Sequence, residues 1–452
     1  ANVMSVDAQL FRLVWRWHFY AGLFVIPFIL VLAVTGTIYL FKPQIERWEE
    51  RAFQRLPIDG AVAADTQLKA VLEAFPGSKF LSYRLPEVTG DAVAIAVERL
   101  GSTANETLQV FVSPKGQVLG NLDPENRTMA FVARIHGQLL LGPRGSWLVE
   151  LAASWAIVMI LSGLYLWWPR ERRLAGVLWP RFHLKGRGFW RDLHAVVGFW
   201  VSAFTLVLLV TGLPWAAVWG SSFKAIRAEM GWVMGPQTWT VGGQSPSSDH
   251  QAAHAHDVGK ASTLAGQTGE TLNQLPMLVA MARREDLAFP VMIVPPLAPQ
   301  KFAQPVPEWT IKSEAQNRPM QTTILFDPST LQQVYREGFA DRHPIDRVVG
   351  YGVAWHEGQL FGWVNQLIGV LTALCLVTLS VTGFVMWSGR KPNGSLGAPY
   401  RLPGPTNTRR LAVILLFLAL VLPMLAISLV VVAVLDHVIV RRNVRLANWL
   451  GV

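Results

Sequence analysis

Four histidines recur at matched places in this chain of 452 residues. His18 is followed by Gly22 at +4 and by Thr35-Gly36 at +17 and +18. His194 is followed by Gly198 and by Thr211-Gly212 at the same offsets. His136 is followed by Leu140 (+4), Gly142 (+6), Ser162-Gly163 (+26, +27) and Trp167 (+31). His356 repeats this series with Leu360, Gly362, Thr382-Gly383 and Trp387. So many shared offsets point to two copies of one unit, a helix, an intervening domain and a second helix. A histidine at membrane depth is costly unless its ring nitrogens find partners, and a metal is one such partner. Taken singly, each of these residues reads as an interfacial or hydrogen-bonded histidine. Taken as a matched set, they read as axial ligands, because two imidazoles from two helices at one depth can bind haem iron from opposite faces. The expectation is two b-type haems, His18 with His194 near the inner surface and His136 with His356 near the outer.

The glycines are read with them. Eighteen residues make five turns, so Gly36 shares a helix face with His18 and lies about 27 Å further along the axis. Gly212 stands in the same relation to His194. The expectation is that the outer porphyrin lies against Gly36 and Gly212, and that Gly163 and Gly383 give room to the inner one. Gly22 and Gly198, one turn beyond His18 and His194, join the same cofactor-facing set. Arg16, Arg134 and Arg191 are the expected partners of the haem propionates.

The elements that must position these residues follow from composition. Half of the chain is apolar (51%), only 15% is charged, and the mean hydropathy is +0.31, which disfavours a fully soluble enzyme. The formal charge of +10 in such a chain sets membrane topology rather than binding nucleic acid. A single cysteine, Cys375, excludes a disulfide framework, a cysteine-ligated zinc site and an iron–sulfur cluster. A spanning helix needs about 20 apolar residues, and five stretches free of Asp, Glu, Lys and Arg qualify: 17–41, 151–169, 193–223, 358–389 and 411–435. The first reads as a retained helix, since no small-residue cleavage motif follows its long apolar run.

The predicted organisation is residues 1–41 (N-terminus and first membrane helix), 42–145 (outer domain), 146–169 (second helix), 170–191 (basic inner loop), 192–223 (third helix), 224–357 (second outer domain), 358–389 (fourth helix), 390–410 (basic inner loop), 411–437 (fifth helix) and 438–452 (tail). The loop 170–191 has seven basic residues and one acid, and 390–410 has five basic residues and none. Both should be cytoplasmic, with the N-terminus inside and the C-terminus outside. Arg441, Arg442 and Arg445 contradict that scheme, and two loops outweigh one tail. Each outer domain reads as a small α+β unit: a helix at 65–76, a strand at 107–112 and the turn Ser113-Pro-Lys-Gly116 in the first; a helix at 271–283, a strand at 322–326 and the turn 327–330 in the second. The stretch 242–269, rich in Gly, Ser, His and Ala, reads as a flexible insert.

The strings Ile135-His-Gly-Gln-Leu-Leu-Leu-Gly142, Leu161-Ser-Gly-Leu-Tyr-Leu-Trp-Trp-Pro-Arg170, Trp355-His-Glu-Gly-Gln-Leu-Phe-Gly362 and Val381-Thr-Gly-Phe-Val-Met-Trp387 resemble the PepSY-associated transmembrane helix family. Its members include iron-regulated inner-membrane proteins and haem-containing ferric-siderophore reductases. The resemblance covers nearly the whole chain. It implies a mainly α integral membrane protein of the bacterial inner membrane, with five transmembrane helices and two periplasmic PepSY-like domains. It also implies haem ligation by His18, His136, His194 and His356.

The expected activity is transmembrane electron transfer from a cytoplasmic or quinol donor to a ferric siderophore or other ferric chelate. Hard oxygen donors hold Fe(III) far better than Fe(II), so one electron loosens the metal. No G-x-G-x-x-G follows a strand, so the donor must be external. Two other classes compete. A transporter or permease would explain a duplication but usually carries ionisable groups near the midplane. A sensor or protease regulator would explain the outer domains and leave the four histidines without a role. His250, His254 and His256 could hold a transition metal but read first as a solvated loop.

Overall fold

The computed structural model describes residues 2–100, 105–169, 174–233, 239, 241–242, 264–300, 303–400 and 408–452. The predicted insert 242–269 and its three histidines lie almost wholly outside these residues. In chain order, helix α1 (Asn2–Leu40) leads into α2 (Lys42–Glu49) and α3 (Ala64–Ala74). Strands β1 (Lys79–Arg84), β2 (Val93–Leu100), β3 (Asn105–Val112) and β4 (Val118–Leu122) follow, then α4 (Thr128–Gln138) and α5 (Pro143–Trp167). The second half runs through α6 (Arg187–Gly212), α7 (Ala217–Glu229), α8 (Leu264–Arg284), β5 (Val291–Val294), β6 (Trp309–Ser313), β7 (Thr322–Phe326), β8 (Gln333–Gly338), α9 (Pro344–His356) and α10 (Trp363–Ser388). It closes with α11 (Arg409–Val421), α12 (Pro423–Leu435) and α13 (Val444–Leu450).

Among the described residues, five helical stretches are long and apolar enough to cross a membrane: Ala8–Leu40, Pro143–Trp167, Arg187–Trp215, Trp363–Ser388 and Pro423–Val440. This is a membrane protein. Helices α1, α5, α6 and α10 pack as a four-helix bundle, α1 against α5 and α10, and α6 against the same two. The boundaries differ from the apolar runs in an instructive way. Gly142 and Gly362, each six residues after an expected ligand, adopt φ values of +60° and +56° and turn the chain directly into α5 and α10. Helix α5 therefore starts before the charge-free run and takes in Glu150. That buried carboxylate accepts from the backbone N–H groups of Val218 and Trp219, which open α7.

The strands form one antiparallel sheet in the order β4-β3-β2-β1-β5-β6-β7-β8. Where the sequence suggests two separate outer domains, β1 and β5 pair antiparallel, with Tyr83 opposite Ile293 and Arg84 opposite Met292. Each edge strand satisfies the other's unpaired backbone groups, so neither half is left with an exposed inner edge. Helices α3 and α8 pack together over one face, with Leu68, Val71, Leu275 and Leu278 against Ile95, Val110, Ile293 and Ile311. A polar tie recurs in each half. Gln67 accepts from the Tyr83 hydroxyl and donates to Ser113 O, while Gln274 accepts from Trp309 Nε1 and donates to Pro328 O.

Two ion-pair groups hold the starts of α4 and α9. Arg127, which precedes α4, pairs with Glu49 and Glu50, and Glu50 also takes Arg84 of β1. In the second half Arg227 of α7 makes a two-pronged pair with Asp346 of α9 (2.7 and 2.9 Å) and donates to Trp232 O. Both α4 and α9 carry one of the four histidines at or near their last turn.

The expected fifth helix stands as a candidate span with other bounds, Pro423–Val440, and the C-terminal residues meet the same end of the bundle as Arg16 and Tyr20 of α1. Pro423 forces Leu422 into extended backbone (φ −118°, ψ 89°) and ends α11 there. Trp219 Nε1, near the sheet end of the bundle, donates to Val421 O. Helix α12 then runs back past Trp155, whose Nε1 donates to Ser428. At the far end Tyr20 donates to Leu450 O, Arg16 donates to both Gly451 O and Pro399 O, and Leu396 N donates to Trp449 O. The chain thus leaves the far end after Pro399 and returns to it by Gly451. Arg441, Arg442 and Arg445 stand on the same side as the other basic loops, and the conflict in the charge pattern disappears.

Two outcomes follow. A reporter fused after Val452 should report the same compartment as one placed in loop 390–400, read by paired fluorescent-protein and alkaline-phosphatase fusions; opposite compartments would overturn the returning α12. Asp346→Ala should cost about 3–5 kcal/mol by stranding the buried Arg227 charge, visible as a clear fall in melting temperature, whereas Arg441→Ala, at an exposed pair, should change it little.

Candidate imidazole-pair sites

The bundle brings the four histidines together in two pairs. His18 of α1 and His194 of α6 face each other toward the far end, with ring centroids 6.5 Å apart and planes at 85°. His136 of α4 and His356 of α9 meet at the sheet end, 6.3 Å apart and at 75°. These are the pairs read from the sequence.

Each ring is held in the same way. His18 Nδ1 lies 3.0 Å from Ser162 Oγ and 3.0 Å from Met159 O. His194 Nδ1 lies 2.8 Å from Thr382 Oγ1, His136 Nδ1 2.9 Å from Thr35 Oγ1, and His356 Nδ1 3.1 Å from Thr211 Oγ1. The hydroxyls are already committed as donors, to Met159 O, Thr378 O, Val31 O and Val207 O of their own helices. With their protons so committed, the hydroxyls accept from the rings. This network assigns the proton to Nδ1 in all four imidazoles and leaves the Nε2 lone pair available.

The residue beside each hydroxyl is a glycine, and its part differs from the expected one. A Cβ placed on Gly163 would meet His18 Cε1 at 3.1 Å; on Gly383, His194 at 3.5 Å; on Gly36, His136 at 3.2 Å; on Gly212, His356 at 3.2 Å. These glycines make room for an imidazole from another helix, so the ring, rather than a porphyrin face, lies directly over them. The Ser/Thr-Gly dipeptide is thus a ring holder, with one residue taking the Nδ1 proton and the next giving space. Ser162, Thr35, Thr382 and Thr211 are the ring-contacting residues that in the bare sequence serve only as spacing marks. The signal was there, since each hydroxyl precedes its glycine in all four copies.

The spacing fits a metal between paired rings. A first-row metal sits about 2.0–2.1 Å from an imidazole nitrogen, and the ring centre is about 1.1 Å further, so two Nε2 ligands on opposite faces put the centroids roughly 6.2 Å apart. Both observed values lie within a few tenths of that. Each Nδ1–H ends on a hydroxyl backed by a helix carbonyl, an outer shell that fixes a ligand's tautomer and orientation. At the sheet-end pair, burial and then the neighbouring His356 push His136 down to about 4, and burial also lowers His356. Both rings are neutral at pH 7, as ligands must be. A small cavity of about 10 Å³, the size of one water, lies beside His356, lined by Leu40, Phe204, Leu208, Trp355, Ile368 and Thr372, with Trp355 Nε1 and Asn365 Oδ1 unpaired among the described residues. In chemistry the residues present fit a planar, largely apolar group: two neutral imidazoles at ligand spacing beside an apolar lining.

The remaining expected site residues fall elsewhere. Cβ atoms on Gly22 and Gly198 would touch Met159 and Leu379 at ordinary contact distance, so these glycines belong to helix packing. Arg16 is buried and committed to Pro399 O, Gly451 O and Tyr20. Arg134 donates to Glu125 O, and the largely exposed Arg191 pairs with Asp192. Each of these three arginines already has a carbonyl or carboxylate partner in the protein.

Comparison with known proteins adds the family. A family model described as the PepSY-associated TM region matches residues 15–390, more than four fifths of the chain and all four histidines, and ends just before the segment that forms α11–α13. No curated protein matches the chain.

Thr382→Val removes the acceptor of the His194 Nδ1–H. It should weaken haemin binding at that pair about 10–100-fold in a spectrophotometric titration. Gly163→Leu should remove binding there altogether, because a branched side chain would occupy the space of the His18 ring. Unchanged binding in both variants would mean that the rings are not held as described.

Proposed function

We propose, on the premise that this chain belongs to the PepSY-associated transmembrane family, that it is a membrane haem oxidoreductase that carries electrons across the bilayer. In this reading His18 with His194 and His136 with His356 each hold one b-type haem, and the terminal acceptor is a ferric siderophore or similar ferric chelate. The observation that carries it is the pair of imidazole pairs, each with free Nε2 atoms at the spacing of axial ligands, at opposite ends of one four-helix bundle.

Bound there, the two haems would supply one-electron carriers toward the two surfaces of an apolar core about 30 Å thick, so that no single hop has to span its whole width. The chain's own part is positional. Ser162, Thr382, Thr35 and Thr211 keep each Nδ1 protonated and each Nε2 available, and they raise the basicity of the ligand through the hydrogen bond. The apolar walls of α1, α5, α6 and α10 exclude water from both pairs. The basic loops and the C-terminal arginines share the far end, which the positive-inside rule assigns to the cytoplasm of a bacterial inner membrane. The sheet then faces the periplasm, next to the His136–His356 pair, where an acceptor can approach. A ferric chelate suits that place, since one electron converts tightly held Fe(III) to loosely held Fe(II). The electron enters from a cytoplasmic or quinol donor.

Purified protein should be red, with a Soret band that shifts and sharpens on dithionite, and pyridine haemochrome should give two haems per chain. His18→Ala and His194→Ala should each lose the same haem, and His136→Ala or His356→Ala the other. Colourless protein from haem-replete cells would remove this reading and favour a sensor or regulator built on the sheet.

A further inference from the structure

The cations at the far end fall into two groups. Arg16 and Arg181 are used up, the first on carbonyls and Tyr20, the second on Asp192. Arg390 is not. Its Nη2 donates to Gly397 O, its Nε is buried without a partner, and its guanidinium lies 5.3 and 5.1 Å from the rings of Trp15 and Phe19, which flank His18 on α1. The second cation close to it is Arg187, which makes no ion pair among the described residues; burial first, and then the charge of Arg187, lower the Arg390 pKa. Arg390 is thus half-buried with an unpartnered Nε, Arg187 is exposed, and no carboxylate among the described residues pairs with either. A half-buried guanidinium with a donor left over is a place for an anion to complete.

Their placement says which anion. Arg187 precedes His194 by seven residues, two helical turns, and so lies on the same face about 10.5 Å toward the far end. Arg390 follows Gly383, the glycine under the His194 ring, by the same seven residues. Arg187 therefore stands on the side of the His18–His194 pair, and Arg390, two residues past the end of α10, is placed at the same end by its contacts with Trp15 and Phe19. Gly163, the glycine under His18, is also followed by an arginine at +7, Arg170, which lies outside the described residues. We infer that Arg390 and Arg187 form a site for two carboxylates, those of the porphyrin held between His18 and His194, in place of the arginines suggested by sequence proximity. This rests on the haem reading above. The guanidinium fork suits a carboxylate, and stacking on Trp15 and Phe19 holds Arg390 in place for it.

Anionic lipid headgroups offer the same chemistry, and the experiment separates the two sources. The full chain is reconstituted in nanodiscs of phosphatidylcholine, with and without phosphatidylglycerol, and both haem midpoint potentials are measured by spectroelectrochemistry. Arg390→Gln and Arg187→Gln should each lower one potential and leave the other in place, because an unneutralised carboxylate disfavours adding an electron nearby. Protein from haem-deficient cells should bind haemin about tenfold or more tightly than its dimethyl ester at the His18–His194 pair, and Arg390→Gln should abolish that preference. A potential in the unaltered protein that depends on phosphatidylglycerol and loses that dependence in Arg390→Gln would assign the site to lipid and overturn the inference. So would two retained haems with unchanged potentials and unchanged ester preference in both variants. Absence of haem from the unaltered protein would instead defeat the functional reading itself.

Discussion

Each imidazole is held by a hydroxyl that has already given its own proton to the helix behind it. That one arrangement determines the rest of the site. A Ser or Thr donating to the carbonyl three or four residues back has only lone pairs left to offer, so the ring beside it must donate from Nδ1. In an apolar bundle the alternative, a ring nitrogen with no partner, is expensive. The consequence is four rings of one tautomer, each turning a free Nε2 away from its holder. The neighbouring glycine is the steric half of the same device, since any side chain there would push the ring off its hydroxyl.

The device works only if the helices carrying rings and holders keep their depth relative to one another. At the far end this is simple, because His18 and His194 belong to the spanning helices themselves. At the sheet end the rings come from α4 and α9, short helices that return toward the membrane from the sheet. Arg127 with Glu49 and Glu50 positions the first, and Arg227 with Asp346 the second. Buried ion pairs add little net stability when intact but strongly resist being pulled apart. They therefore suit the task of fixing a helix in one place. Pairing β1 with β5 joins the two halves into one sheet, so that the two ring-bearing helices leave a shared platform.

The C-terminal segment shows how a single proline can redirect a topology. An apolar run from Leu411 to Leu435 satisfies any length criterion for one crossing. Pro423 divides it, and the buried side chains of Leu422 and Leu425 fix the break against Trp155 and Val25. The last residues then close over the far end, where Arg16 and Tyr20 bind their carbonyls two residues to either side of His18. Arg16, by spacing alone a natural partner for a cofactor carboxylate, is drawn into holding backbone.

The pairing of His18 with His194 and of His136 with His356 was legible in the bare chain, because duplicated offsets of 4, 17 and 18 or of 4, 6, 26, 27 and 31 survive any folding. So were the apolar bundle, the basic loops and the helix-then-strand order of both outer segments, since each depends on local periodicity. What an arginine pairs with, what a glycine makes room for, where two sheet edges meet and which way a broken helix turns were not legible. Those outcomes depend on which groups lie within 3 to 4 Å of one another across hundreds of residues, as Arg16 does with Gly451 and Tyr83 with Ile293. Spacing along a chain sets which residues share a helix face. Only packing decides what that face meets.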